Sequence, residues 1–437
     1  MQYILPMSYF DQFKLQPSIN QAIEELHFKK PTPIQEKTIP EIMSGADVIG
    51  NAQTGTGKTA AFCLPTLSHL LDHPTKNALV LVPTRELAIQ IEKFWLELTQ
   101  FCKEVTCAVL VGGIPMETQL KKMKSNPRLI IATPGRLVDH LQLKNFDLKQ
   151  TGILILDEAD RMLDMGFSAQ INEITRSVPS KRQTLLFSAT WNGEISSLAK
   201  KHLRPNALRI KAGETSQAAD TVTQMLLNVT ESGKRDLLLE EINQERGSIL
   251  IFTSTQVRAE SVSNYLEEYG VKVNRIHGGR TQGQRSTALK QFREGKIKVL
   301  VATDIAARGI DVSEIAHVIN FDLPQIAEDY VHRIGRTGRA GASGKATTFI
   351  TENDGRRWSD IVELLKKTGS PVPKAGTKKP TRAANIADIE TEMTLVQPKN
   401  KKPTRSHPQN RRENLWEKGS VKVRPAHEQR IKPKTQK

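Results

Sequence analysis

Residues 153–163 read ILILDEADRML, four apolar residues running into Asp157, Glu158 and Asp160. A run that is apolar at every position, not at every second one, suits a strand buried on both faces, as in a parallel sheet covered by helices. Three carboxylates at its end repel one another and lose hydration. They call either for a helix N-terminus, whose dipole favours acids, or for a cation. The stretch by itself leaves both readings open.

The surrounding sequence repeats the pattern. Between residues 45 and 190, DVIG, NALVLVPT, VTCAVLVGG, PRLIIATPG and QTLLFSAT alternate with stretches of helical period. GSILIFTS, VKVNRIHGG, IKVLVATD, AHVINFD and KATTFITE bring the same cadence back later in the chain. Two α/β domains follow, each a parallel sheet flanked by helices, with small polar residues at 211–221 (KAGETSQAADT) as a flexible joint. The expected boundaries are a first domain over 1–208, a linker over 209–221, a second domain over 222–366 and a tail over 367–437. In open sheets of this kind, ligands gather at the carboxyl ends of strands. PTRELA, GG, ATPGR, DEAD and SAT all fall at such ends.

The chain has 437 residues, 38% of them hydrophobic, and a formal charge of +16. From Pro371 onward, 17 Lys and Arg stand against 6 Asp and Glu, so a net +11 lies in the last stretch, which also holds 8 of the 22 prolines. Such a segment buries too little surface to offset its chain entropy. It is expected to be a disordered basic arm, either solubilising or adhering to nucleic acid. Cys63, Cys102 and Cys107 show no metal-ligand spacing and are expected to be reduced thiols. No signal peptide is apparent, and no run approaches 18 apolar residues, so a cytoplasmic protein away from membranes is expected.

GNAQTGTGKTAAF (50–62) follows one apolar run and precedes a helix, the setting of a phosphate cradle. Gly55 and Gly57 let backbone amides converge on phosphate oxygens. Lys58 would reach the β and γ phosphates and Thr59 would ligate magnesium. The general pattern has glycine where this chain has Ala52. With a magnesium nucleotide there, the acids at 157–160 gain their cation: Asp157 coordinates magnesium through water, and Glu158 is placed to polarise the attacking water. The second half has no such cradle. It carries HRIGRTGR (332–339), where Arg333, Arg336 and Arg339 are spaced by three around Gly335 and Gly338. A solvated helix would not need those glycines, each costing about 1 kcal/mol against alanine. Arg336 and Arg339 are expected to enter the first domain's nucleotide as arginine fingers.

AQTGTGKT, PTRELA, TPGR, DEAD, SAT, ARGID and HRIGRTGR, in this order over about residues 8–365, resemble the DEAD-box ATP-dependent RNA helicases of superfamily 2, in a bacterial style. Ala52 is what that family itself carries. The resemblance implies two RecA-like domains, ATP and Mg²⁺ as ligands, and a nucleotide site that includes Ala52, Gln53, Thr54, Gly55, Thr56, Gly57, Lys58 and Thr59. It implies that Gln35 of HFKKPTPIQ reads adenine, that Phe28 stacks on the base with Phe10 in support, and that Asp311 meets the ribose. Asp160, Ser188, Thr190, His332 and Arg333 would link hydrolysis to domain closure.

Candidate RNA contacts are Thr84, Arg85, Gly112, Gly113, Thr133, Arg136, Gly278, Arg285 and Thr303. They are hydroxyls, arginines and glycines that expose amides, with no aromatic residue among them. This is the chemistry of backbone contact and not of base stacking. Thr84 and Thr133 equally suit helix capping. The expected activity is RNA-dependent ATP hydrolysis coupled to local duplex separation or RNA–protein remodelling by a monomer, with ribosomal-precursor or RNA-decay proteins as company. The alternatives are an ATP-gated RNA clamp with little unwinding and a duplex-DNA translocase, against which Gln35 and the DEAD spelling argue.

Overall fold

A computed structural model of the chain describes residues 9–52, 55–211, 222–307, 315–338 and 343–375. The first lobe is a seven-stranded sheet of β1 (Val48–Asn51), β2 (Asn77–Leu81), β3 (Cys107–Leu110), β4 (Leu129–Ala132), β5 (Thr151–Leu156), β6 (Gln183–Ser188) and β7 (Leu208–Lys211). Every pairing is parallel, in the order β3-β4-β2-β5-β6-β1-β7. Along β5 the side chains alternate between two cores. Ile153 and Ile155 join Phe62 and Leu67 on one face, while Leu154 and Leu156 join Leu137 and Ile171 on the other. With each such side chain contributing about 1.5–3 kcal/mol on burial, two-sided packing explains why no position in the run is polar.

The second lobe repeats the plan with β8 (Val222–Asn228), β9 (Ile249–Thr253), β10 (Val273–Ile276), β11 (Val299–Thr303), β12 (His317–Asn320), β13 (Gly344–Ile350) and β14 (Lys374–Ala375). Their order, β10-β11-β9-β12-β13-β8-β14, matches the first lobe strand for strand. Leu250 and Phe252 enter one core and Ile249 and Ile251 the other. Both sheets belong to one compact unit.

Three strands, β7, β8 and β14, were not legible as apolar runs. The boundaries shift with them. Residues 209–211 of the expected linker belong to β7, which pairs with β1. Residues 367–375 of the expected tail finish the helix Gly355–Thr368 and form β14, which pairs with β8. The rest of the linker, 212–221, and the rest of the tail, 376–437, lie outside the described residues.

Helices connect the strands and aim the strand ends. The helix Arg85–Leu98 starts at Thr84, whose hydroxyl accepts the Leu87 N–H at 3.3 Å. It then buries Leu87, Ile91, Trp95 and Leu98 at helical spacing. The capping role read for Thr84 is therefore filled; Thr133 precedes the helix Pro134–Gln142 but makes no side-chain cap.

Candidate nucleotide site and interlobe cleft

Ala52 leaves β1 with its N–H on the Ser188 carbonyl at 3.0 Å. Gln53 and Thr54, the next two expected nucleotide contacts, lie outside the described residues. Gly55 and Gly57 have φ of 87° and 89°, left-handed values that favour glycine. Gly57 caps the helix Lys58–Asp72, so Thr59 is the second helical residue. A Cβ on Gly57 would strike the Gln35 amide. That amide is held at both ends: its Nε2 donates to the Gly57 carbonyl at 3.0 Å, and its Oε1 accepts the Thr32 N–H at 2.9 Å. A second hydrogen and a second lone pair remain for a base edge. Phe28, half-buried, lies between Phe10 and Phe94, with ring centroids 6.1 and 6.2 Å away.

Lys58 is 6% exposed, and its Nζ has no hydrogen-bond partner. Asp157 follows β5 and is 2% exposed. Burial pushes its carboxyl up to about 6 despite the pull of Lys58, and Glu158 adds to the rise. A buried ammonium without an acceptor and a buried carboxylate that resists ionising are both costly unless something is bound. An anion at Lys58 and a cation at Asp157 would relieve both, so these residues fit a magnesium nucleotide.

Glu158 has φ 52°, a left-handed value rare for a non-glycine residue. Its Oε2 accepts from Arg161 Nη1 at 2.9 Å, and both side chains are buried. Asp160 binds the SAT segment: Oδ2 accepts from Ala189 N at 3.0 Å, Thr190 N at 2.8 Å and Thr190 Oγ1 at 3.0 Å. The Ser188 hydroxyl donates to the Thr190 carbonyl at 2.7 Å. Burial alone would raise Asp160, but Lys58, the Thr190 N–H, His332 and Arg161 outweigh it and hold the carboxyl below the usual range. His332 comes from the second lobe, so the two lobes already share a field here.

Arg161 lines a small cleft together with Phe252, Asp304, Ala307, Asp329, His332, Arg333 and Arg336. Arg336, 4% exposed, lines this cleft with Arg161 of the first lobe. Arg333 does not act across the cleft. It is 1% exposed and spends its donors inside its own lobe, on Asp304 at 2.5 and 2.7 Å, Asn320 Oδ1 at 3.2 Å and the Asp322 carbonyl at 2.6 Å. Asp311 and Arg339, expected at the ribose and the phosphates, lie outside the described residues.

Among the expected RNA contacts, Arg85 lies against Gly112 and Gly113, and Arg136 donates to the Ile114 carbonyl at 3.3 Å, so four of them share one edge of the first lobe. Gly278 lies against Gln256, and Thr303 ends β11. Arg285 is placed otherwise. Its Nη2 is 2.7 Å from Glu86 Oε2 across the lobes, beside Gln282 Nε2 donating to Glu86 Oε1 at 3.2 Å. Glu86 and Arg161 are site residues that the sequence reading passed over, although both stand inside quoted motifs.

The DEAD/DEAH box helicase family model matches residues 32–198, and the helicase conserved C-terminal domain matches residues 233–341. ATP-dependent RNA helicase CshA of Listeria monocytogenes is 42% identical over 370 residues, covering 84% of this chain and 70% of the relative. ATP-dependent RNA helicase DBP2 of Candida albicans is 41% identical over 381 residues, covering 84% and 67%. Among solved structures, S. cerevisiae Dbp5 bound to RNA and ADP BeF3 superposes with a TM-score of 0.76 at 32% identity, covering 85% of this chain and 96% of that one. Mss116p bound to ssRNA and AMP-PNP gives 0.78 at 29% identity, covering 87% and 80%. With its motifs, its paired sheets and these relatives in agreement, the chain belongs to the DEAD-box family of ATP-dependent RNA helicases.

Proposed function

We propose that this chain hydrolyses ATP in a site completed by both lobes and uses closure of the lobes on RNA to pry short duplexes apart. The observation that carries the reading is the buried Lys58–Asp157 pair, in which the lysine Nζ has no hydrogen-bond partner and burial pushes the carboxyl up. Lys58, at the helix N-terminus, binds the phosphates together with the Gly55–Gly57 turn. Mg²⁺, held by Thr59 and Asp157, would supply positive charge against the charge that develops in phosphoryl transfer. Gln35 orients the base and Phe28 covers it. Glu158 accepts the proton of the attacking water. Arg336, with Arg339, stabilises the γ-phosphate, a role worth roughly 10³ to 10⁵ in rate.

RNA lies along Thr84, Arg85, Gly113, Thr133 and Arg136 of the first lobe and Gly278 and Thr303 of the second. These groups favour a sequence-tolerant grip on sugar and phosphate. Asp160, Ser188, Thr190 and His332 carry the state of the nucleotide to the lobe interface. The free cysteines suit a reducing compartment, and we place the protein in the cytoplasm, acting as a monomer beside proteins of ribosome assembly or RNA decay.

Glu158→Gln is the test. It should keep ATP and RNA binding and lose at least about 100-fold in RNA-stimulated ATP turnover, the scale of general-base catalysis. Near-normal turnover would remove Glu158 from its role. Release of a labelled short duplex by the unaltered protein, faster with ATP than without, separates a helicase from a clamp; equal rates would favour the clamp.

A further inference from the structure

The matching strand order sets each lobe's residues against those of the other. Gly57 and Lys58 open the helix after β1; Gly233 and Lys234 open the helix Lys234–Gln244 after β8, the strand in the same place. Asp157 follows β5 and donates its N–H to Leu81, the end of β2. Asp322 follows β12, the equivalent strand, and donates its N–H to Phe252, near the end of β9. The second lobe therefore carries a glycine–lysine helix start opposite a strand-end aspartate, as the first does.

The two pairs are in opposite states. In the first lobe the lysine has no hydrogen-bond partner. In the second, Lys234 Nζ lies 3.0 Å from Asp322 Oδ1, and Arg258 grips both carboxylate oxygens at 2.7 and 2.8 Å. The Ser254 N–H and hydroxyl complete the set at 3.0 and 3.1 Å. Asp322 and Lys234 are both buried. The place that takes phosphate in one lobe is filled in the other by the chain's own ions.

A carboxylate held by five donors is a fixed point, and its residue holds something else. The Asp322 carbonyl accepts from Arg333 Nη1 at 2.6 Å. Arg333 lies in the helix Ala327–Ile334, and its carbonyl accepts the Arg336 N–H at 3.1 Å. We propose that Asp322, clamped by Lys234 and Arg258, is a positioning residue that sets where Arg336 meets the nucleotide of the first lobe. This rests on the reading of Arg336 as the γ-phosphate partner.

Asp322→Asn in the full chain weakens the clamp yet keeps the backbone carbonyl. Binding of a fluorescent ATP analogue should stay within about twofold, because the first lobe does the binding, while RNA-stimulated kcat falls about 10- to 100-fold, as misplacement of a reacting group by an ångström does. Because Asp322 acts through Arg336, Asp322→Asn added to Arg336→Ala should lower kcat no further. Lys234→Gln should give a smaller loss and Lys234→Arg should recover most of it, which keeps the test decisive if Asp322→Asn fails to fold. A folded Asp322→Asn or Lys234→Gln protein with unaltered kcat overturns the proposal, as do losses that multiply in the double variant. Near-normal turnover in Arg336→Ala would instead bring down the reading beneath it.

Discussion

At the scale of single residues, Gly57 has little freedom. Its φ of 89° would cost another residue about 1–2 kcal/mol, and a Cβ there meets the Gln35 amide that holds the loop. Gly57→Ala should therefore be destabilising by about that amount or more in urea unfolding, and should weaken ATP binding in titration calorimetry because Gln35 must move. Wild-type affinity would mean that the Gln35–Gly57 bond has no part in the site. Lys58, Asp157 and Gly57 were legible in the sequence because their spacing in the loop is itself the chemistry. Arg161 and Glu86 were not, since the partner of a buried charge is chosen by the fold. Arg333 shares the spacing of Arg336, but burial commits its guanidinium to Asp304 and the Asp322 carbonyl.

At the scale of elements, two of the strands that the sequence did not reveal, β7 and β8, are not packed on both faces. β5 is apolar at 153–156 because both faces are covered, whereas β7 is largely exposed and reads LRIK, and β8 mixes exposed Thr223 with buried Val222 and Leu226. β12 holds a different exception, the fully buried His317 at its first residue. Its Nε2 lies 2.8 Å from Thr347 Oγ1 and 4.0 Å from Glu241. Burial, with help from Lys345, lowers its pKa from 6.5 to about 4 despite Glu241. The unfolded chain then takes up the proton first, so stability is complete above about 6.5 and is lost as pH falls toward 4. Between pH 7 and 5 this one group should contribute about 2 kcal/mol of the loss. Urea unfolding of a His317→Gln variant should be less pH-dependent by that amount; the same pH dependence as wild type would show that the imidazole binds its proton equally well in the folded and unfolded chain.

At the scale of the whole molecule, Arg285 of the second lobe meets Glu86 of the first. Both side chains are buried, at 9% and 3% exposure, and the motif pattern had assigned Arg285 to RNA. Burial disfavours Arg285 as a cation, and the opposing pull of Glu86 depends on the two lobes being together. Loss of one member of a buried pair strands the other, at about 3–5 kcal/mol, and here that cost falls on the closed arrangement of the lobes. The two roles separate because Glu86, an anion, cannot hold a phosphate. If the pair closes the lobes, Glu86→Gln and Arg285→Ala should each lower RNA-stimulated ATPase, their double variant should lose less than the two losses combined, and the salt dependence of RNA binding should stay as in wild type. If Arg285 instead neutralises an RNA phosphate, Arg285→Ala alone should reduce the slope of log K against log salt by about 0.7, with Glu86→Gln close to wild type. ATPase assays and RNA titrations at several salt concentrations on the same three variants distinguish a latch between lobes from a contact with nucleic acid.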